Sequence, residues 1–175
     1  MTLKLQFTLI VAGPSICGKS TFVIRLFEFR EQLCDVFKNL VWCHSENNAP
    51  LHLKKFSFVK GVWVIENPQN IPILIVSDDL MDSAYNTKGS KLFTKGSHHR
   101  NISFVLITQN LFHQGSSSRD VSLNSKYIVV FKNPRAKTQI VHLTGHVYTE
   151  NIPSFLKTYL EACKETHSYL FLDLT

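Results

Sequence analysis

Leu5-Gln6-Phe7-Thr8-Leu9-Ile10-Val11-Ala12-Gly13-Pro14-Ser15-Ile16-Cys17-Gly18-Lys19-Ser20-Thr21 decides the fold. Its first half, Leu5 to Val11, is a β-rich apolar run of the kind buried on both sides of a sheet. Its second half, Gly13 to Ser20, matches G-x-x-x-x-G-K-[ST]. Phe22, Val23, Leu26, Phe27 and Leu33 then recur at helical spacing, so the spacing predicts a helix over Ser20–Leu33. Strand, glycine loop and helix in that order are the context in which the motif binds phosphate. Backbone N–H groups of a tight loop surround the anion, and the helix N-terminus adds unpaired donors. Gly13, Pro14, Ser15, Ile16, Cys17, Gly18, Lys19, Ser20 and Thr21 are therefore the candidate ATP-binding residues. Lys19 is placed to reach the β- and γ-phosphates, and the Ser20 hydroxyl to ligate Mg²⁺.

Working outward, further apolar strands are predicted at Leu40–His44, Ile71–Ser77, Ile102–Thr108, Tyr127–Phe131 and Tyr169–Asp173. Helices are predicted from Pro134 to about Thr144 and from Pro153 to about Thr166, because proline suits a first turn. Leu80 to Thr94 mixes helix and turn signals. Continuous apolar strands alternating with helices specify an α/β fold with a mostly parallel sheet and helices on both faces.

Two more strand ends carry chemistry. Ile73 to Val76 runs into Ser77-Asp78-Asp79. Asp78 is the natural Mg²⁺ partner of Ser20, and Asp79 the base that polarises an attacking water. Two adjacent carboxylates repel each other unless a cation is near. The alternative is that Asp79 caps a helix beginning at Leu80. Ile102 to Thr108 runs into Gln109-Asn110, where a polar side chain can orient water or sense the γ-phosphate. The bland alternative is the polar start of a loop.

Composition narrows the class. The 175 residues are 44% hydrophobic and 18% charged, enough apolar content for a core and too little charge for a disordered chain. No apolar run approaches the ~18 residues of a membrane span. Cys17, Cys34, Cys43 and Cys163 lack CxxC spacing, which argues against a zinc site and for an intracellular setting. The net charge is +6, and it is uneven. Lys88, Lys91, Lys95, Arg100, Arg119, Lys126, Lys132, Arg135 and Lys137 face only Asp120 across that stretch. A phosphate-contacting surface is one reading, and a merely solvated one the other.

Gly13–Thr21, Leu74–Met81, Lys95–Ser103, Thr108–Phe112 and Phe131–Arg135 together resemble the viral genome-packaging ATPases of the FtsK/HerA group of P-loop translocases. The likeness is to those of Polinton (Maverick) elements and poxvirus-type DNA viruses in particular, over about residues 5–145. It implies a RecA-like ASCE core over 1–175 in one P-loop ATPase domain, with the Gln109 strand between the two Walker strands. It also implies a homo-oligomeric ring that drives double-stranded DNA into a capsid, at a portal or capsid vertex, inside the host cell. Lys19, Ser20 and Thr21 match Walker A, Asp78 the Walker B metal position and Gln109 the polar sensor. Where FtsK-type members carry a glutamate, Asp79 stands, one methylene shorter. Ring ATPases commonly supply an arginine to a neighbour's γ-phosphate. Arg119, after Gly115-Ser116-Ser117-Ser118, is the first candidate, and Arg100 and Arg135 are alternatives. His98 and His99 are read as a turn or packed surface. A nucleotide-kinase-like phosphotransferase and a nucleotide-gated, non-catalytic assembly subunit are the competing expectations.

Overall fold

The computed structural model describes residues 3–4, 6–29, 36–45, 50–61, 70–80, 101–112, 121–135, 137–147 and 151–175. Seven strands form one sheet: β1 (Thr8–Ala12), β2 (Asn39–His44), β3 (Ser57–Lys60), β4 (Ile73–Asp78), β5 (Ile102–Thr108), β6 (Tyr127–Phe131) and β7 (Tyr169–Asp173). Their order is β3-β2-β4-β5-β1-β6-β7. All neighbours are parallel except β6 and β7. The Gln109 strand, β5, therefore lies between β1 and β4, as the resemblance implies, in a RecA-like α/β arrangement.

Alternation along each strand feeds two cores. Leu9, Val11, Leu74, Val76, Val105 and Ile107 face helix α1 (Lys19–Glu28), which buries Val23 and Phe27 against them. Ile10, Ile75, Phe104, Leu106 and Val130 face the other way. There they meet Ile140 and Leu143 of α2 (Lys137–Val147) and Tyr159 of α3 (Ile152–Ala162). Helices on both faces leave β1, β5 and β6 with every residue buried, which explains why their sequences are apolar without interruption.

Several boundaries shift for local reasons. The first strand begins at Thr8, because Gln6 adopts a left-handed φ of 59°. α1 starts at Lys19 and closes at Phe29, whose N–H donates to the Arg25 carbonyl, and the expected stretch 30–33 lies outside the described residues. Pro134 does not open α2. The Asn133 side chain accepts from Arg135 N at 3.2 Å, an Asx turn that uses up these residues before the helix begins at Lys137. α3 does open with Pro153 in its first turn, behind Asn151, which accepts from Ser154 N at 3.1 Å. No helix among the described residues is long and apolar enough to cross a membrane.

Candidate functional site

The carboxyl edge of β1, β4 and β5 gathers Gly13–Thr21, Asp78–Asp79 and Gln109. Parallel pairing does this. Ala12 sits beside Thr108, and Asp78 beside Ile107, so three strand ends terminate level with one another. Two backbone bonds tie the ends together: Gly13 N donates to Thr108 O at 3.2 Å, and Asp79 N to Ile107 O at 3.3 Å.

The loop after β1 is close-packed. A methyl at Gly13 would stand 2.7 Å from Phe131 Cβ and 2.8 Å from Cys17 Sγ, so only glycine fits there. Gly18 has φ of 102°, open to glycine alone without strain, and caps α1. Ile16 also adopts a left-handed φ, 64°, and is 93% exposed. A β-branched residue held there, with its side chain in solvent, is backbone strain at a loop tip. Lys19 Nζ donates to the Pro14 carbonyl at 2.8 Å, which holds the ammonium across the loop. The Cys17 thiol is pushed up above its usual range by burial, against the opposing pull of Lys19.

Ser20 and Asp78 meet: the hydroxyl donates to the carboxylate at 3.2 and 3.3 Å. Burial raises the Asp78 carboxyl above its ordinary range; the Ser20 bond opposes this and the charge of Asp79 adds to it. A buried indole lies on the same side of the sheet. Trp42 Nε1 has no hydrogen-bond partner among the described residues, and its N–H favours the Asp78 anion only weakly. A hydroxyl beside a carboxylate that burial penalises is a hard-oxygen pair suited to Mg²⁺. No cluster of three metal-ligating side chains exists among the described residues, so a cation here would take its other ligands from water and phosphate.

Asp79 and Gln109 also meet. Gln109 Nε2 donates to both Asp79 oxygens, at 3.1 and 3.3 Å, and both side chains are exposed at the mouth of the site. Asp79 departs from the strand with φ of 54°, which turns its side chain out of the β4 alternation toward β5. Whether it also caps a helix concerns residues outside those described.

Three supports were not read from sequence. Gln139 of α2 accepts from Leu111 N at 3.3 Å and donates to the Asn110 side chain, bracing the segment after Gln109. Tyr159 of α3 accepts from Asn133 N at 3.0 Å and donates to the Phe131 carbonyl, fixing the chain behind the loop. His167 Nδ1 lies 3.1 Å from the Cys17 carbonyl, although 150 positions separate them.

Among the described residues, the basic side chains of this stretch are divided between the two ends of the strands. Lys126 Nζ donates to Gln6 O at 2.8 Å, at the sheet edge opposite the site, whereas Lys132 follows β6 at the site edge and donates to Lys164 O. Arg135 is exposed. Arg119, Arg100, His98, His99 and the remaining lysines up to Lys95 lie outside the described residues.

No family model matches the chain. No curated protein matches it in sequence. Solved structures do match in fold. The genome packaging NTPase B204 of Sulfolobus turreted icosahedral virus 2, in complex with ATP-gammaS, superposes with a TM-score of 0.67 at 12% identity, over 98% of this chain and 94% of that one. B204 of Sulfolobus turreted icosahedral virus, a DNA-packaging ATPase, gives 0.65 at 13% identity over the same shares. The N-terminal domain of zonular occludens toxin from Neisseria meningitidis gives 0.50 at 11%, over 77% and 81%. The sheet and its helices are thus the fold of these P-loop proteins.

Proposed function

We propose that this chain is an ATPase that drives double-stranded viral DNA into a capsid, working as a homo-oligomeric ring. The observation that carries the hydrolase half is the pairing of Ser20 with Asp78 and of Asp79 with Gln109 at the mouth of a phosphate loop. The packaging half is supported by a fold shared over nearly its whole length with B204, together with the motif likeness.

The division of labour follows from the side chains. Backbone donors between Ser15 and Lys19 bind the β-phosphate, and Lys19 reaches the β- and γ-oxygens. Ser20 and Asp78 would hold Mg²⁺, which when bound would offset negative charge on the phosphates. Asp79, exposed and ionisable, accepts a proton from the attacking water. Gln109 engages Asp79 through its amide nitrogen and holds that carboxylate in place. Arg119 is the arginine proposed to act on a neighbouring subunit's γ-phosphate, and all of this falls within one ATPase domain over 1–175. DNA and a capsid or portal vertex are the proposed partners.

The test is ATP hydrolysis by the purified oligomer with and without duplex DNA. Turnover that rises with DNA, releases inorganic phosphate and disappears in Lys19→Ala is expected. Transfer of the phosphate to a second nucleotide would establish a kinase instead. Binding of ATP without turnover, in the presence of DNA, would leave only an assembly subunit.

A further inference from the structure

One buried donor stands unpaired beside Asp78. Trp42 of β2 is fully buried, and its Nε1 has no hydrogen-bond partner among the described residues. An indole nitrogen is a donor only, so no change of tautomer relieves it. A buried donor left unpaired costs stability, and native structures hold few of them. The ring itself is well used. Phe56 packs edge-on against it, with centroids 5.9 Å apart at 76°, and Leu40, Leu74 and Val76 belong to the same apolar cluster. Packing therefore explains the ring of Trp42 and leaves its N–H unexplained.

Strand register limits what that N–H can meet. Trp42 pairs with Val76, and two residues further along the same parallel ladder His44 pairs with Asp78. Trp42 and Val76 face α1. By alternation Asp78 faces the same way, and its carboxylate meets Ser20 in the first turn of that helix. Two residues along a strand span about 7 Å, within the combined reach of an indole and a carboxylate. The acceptor has room. An ionised carboxylate offers about four lone-pair sites, and the Ser20 hydroxyl has a single proton for both oxygens. The indole N–H already favours the Asp78 anion, though weakly.

We infer that Trp42 is a positioning residue for Asp78: its buried N–H is reserved for that carboxylate and holds it toward Ser20 when the two grip a divalent cation. The inference rests on the reading of Ser20 and Asp78 as the Mg²⁺ pair. Trp42 is closed to solvent, so it acts through Asp78 alone. A donor behind a metal-binding carboxylate fixes the orientation of its oxygens and stabilises its charge against burial.

Ultraviolet resonance Raman spectroscopy reads the hydrogen bond of an indole N–H directly. The chain holds two tryptophans, Trp42 and Trp63. Adding Mg²⁺ with ADP to the unaltered protein should move one N–H band to its strongly bonded position. That shift should persist in Trp63→Phe and vanish in Asp78→Ala. Calorimetric titration of ADP, with and without Mg²⁺, is the second readout. Benzothienylalanine at position 42 keeps the ring shape and exchanges N–H for sulfur. It should weaken Mg²⁺ in the ADP complex about tenfold and leave ADP affinity without Mg²⁺ unchanged. If Mg²⁺ fails to tighten ADP in the unaltered protein, or tightens it equally in Asp78→Ala, the Mg²⁺ pair is misread and the inference falls with it. If Mg²⁺ tightens ADP only where Asp78 is present, Trp42 is tested by itself. A band that stays in place, a shift lost in Trp63→Phe, or full Mg²⁺ affinity in the sulfur isostere would then overturn its role.

Discussion

The two edges of the sheet use the same unusual backbone to opposite ends. At the amino edge, Gln6, Asn70 and Asn101 adopt left-handed conformations just before β1, β4 and β5. Their polar groups satisfy one another: Gln6 Nε2 donates to Asn101 Oδ1 at 3.3 Å, and Asn101 Nδ2 to Asn70 O at 3.1 Å. Asparagine tolerates this conformation, and the amide chain ties three strand starts together. At the carboxyl edge Ile16, Asp79 and His167 are left-handed as well. Here the side chains are exposed: Ile16 at the loop tip, Asp79 beside Gln109, and His167 next to the Cys17 carbonyl. Left-handed residues tie strand starts together at one edge and present exposed side chains at the other.

The sharpest way to break this contrast is Asp79→Asn. Asparagine keeps the backbone turn and a bond to Gln109 but cannot take up the water's proton. Steady-state phosphate release should fall roughly 10²-fold or more, with ATP binding and urea midpoint unchanged. Undiminished turnover would move the base elsewhere.

Next comes Gly13→Ala. With Phe131 Cβ and Cys17 Sγ already at 2.7 and 2.8 Å from the added methyl, overpacking should cost about 1–3 kcal/mol in urea unfolding.

A matched pair then sharpens the comparison between edges. Asn101→Gly removes both amide bonds and should destabilise by about 1 kcal/mol. Ile16→Gly removes an exposed side chain and its left-handed strain, and should stabilise by about 0.5 kcal/mol, after the extra freedom glycine gives the unfolded chain. Equal signs at the two positions would dissolve the distinction.

The smallest effect is a pH dependence. The folded Asp78 carboxyl lies above the 3.8 of a free aspartate, because burial disfavours its charge. Just above pH 3.8 the folded chain thus holds a proton that the unfolded chain has released, and stability falls as pH rises through that window. Asp78→Asn lacks this penalty. Without divalent cations its unfolding free energy should exceed that of the parent at pH 7, and the gap should shrink as pH falls toward 3.8.

What could be read in the sequence was what depends on neighbours in the chain. Six strands were legible as apolar runs, and all but β7 owe this to burial on both faces of the sheet. The loop was legible from its glycines and from the strand and helix beside them. Asp78, Asp79 and Gln109 stood out because they follow directly on buried strands. The contact of His167 with the loop was not legible. It arises only because β7 returns antiparallel beside β6, a choice that no local pattern encodes. Gln139 was hidden for a related reason, since its partners lie 28 and 29 positions away on β5's far side. The basic count from Lys88 to Lys137 misled over Lys126, because a tally along the chain cannot distinguish the start of β6 from its end.

Cys17 gives the loop its own clock. Its thiol stands 2.8 Å from where a methyl on Gly13 would be, and burial holds it above the usual pKa range, so little of it is thiolate at neutral pH. Alkylating reagents should therefore label it slowly, and faster as pH rises. A nucleotide seated over the loop would slow labelling further, and Cys17 once alkylated would in turn keep the nucleotide out. The rate of a simple thiol reagent thus becomes a readout of loop occupancy that needs neither DNA nor turnover.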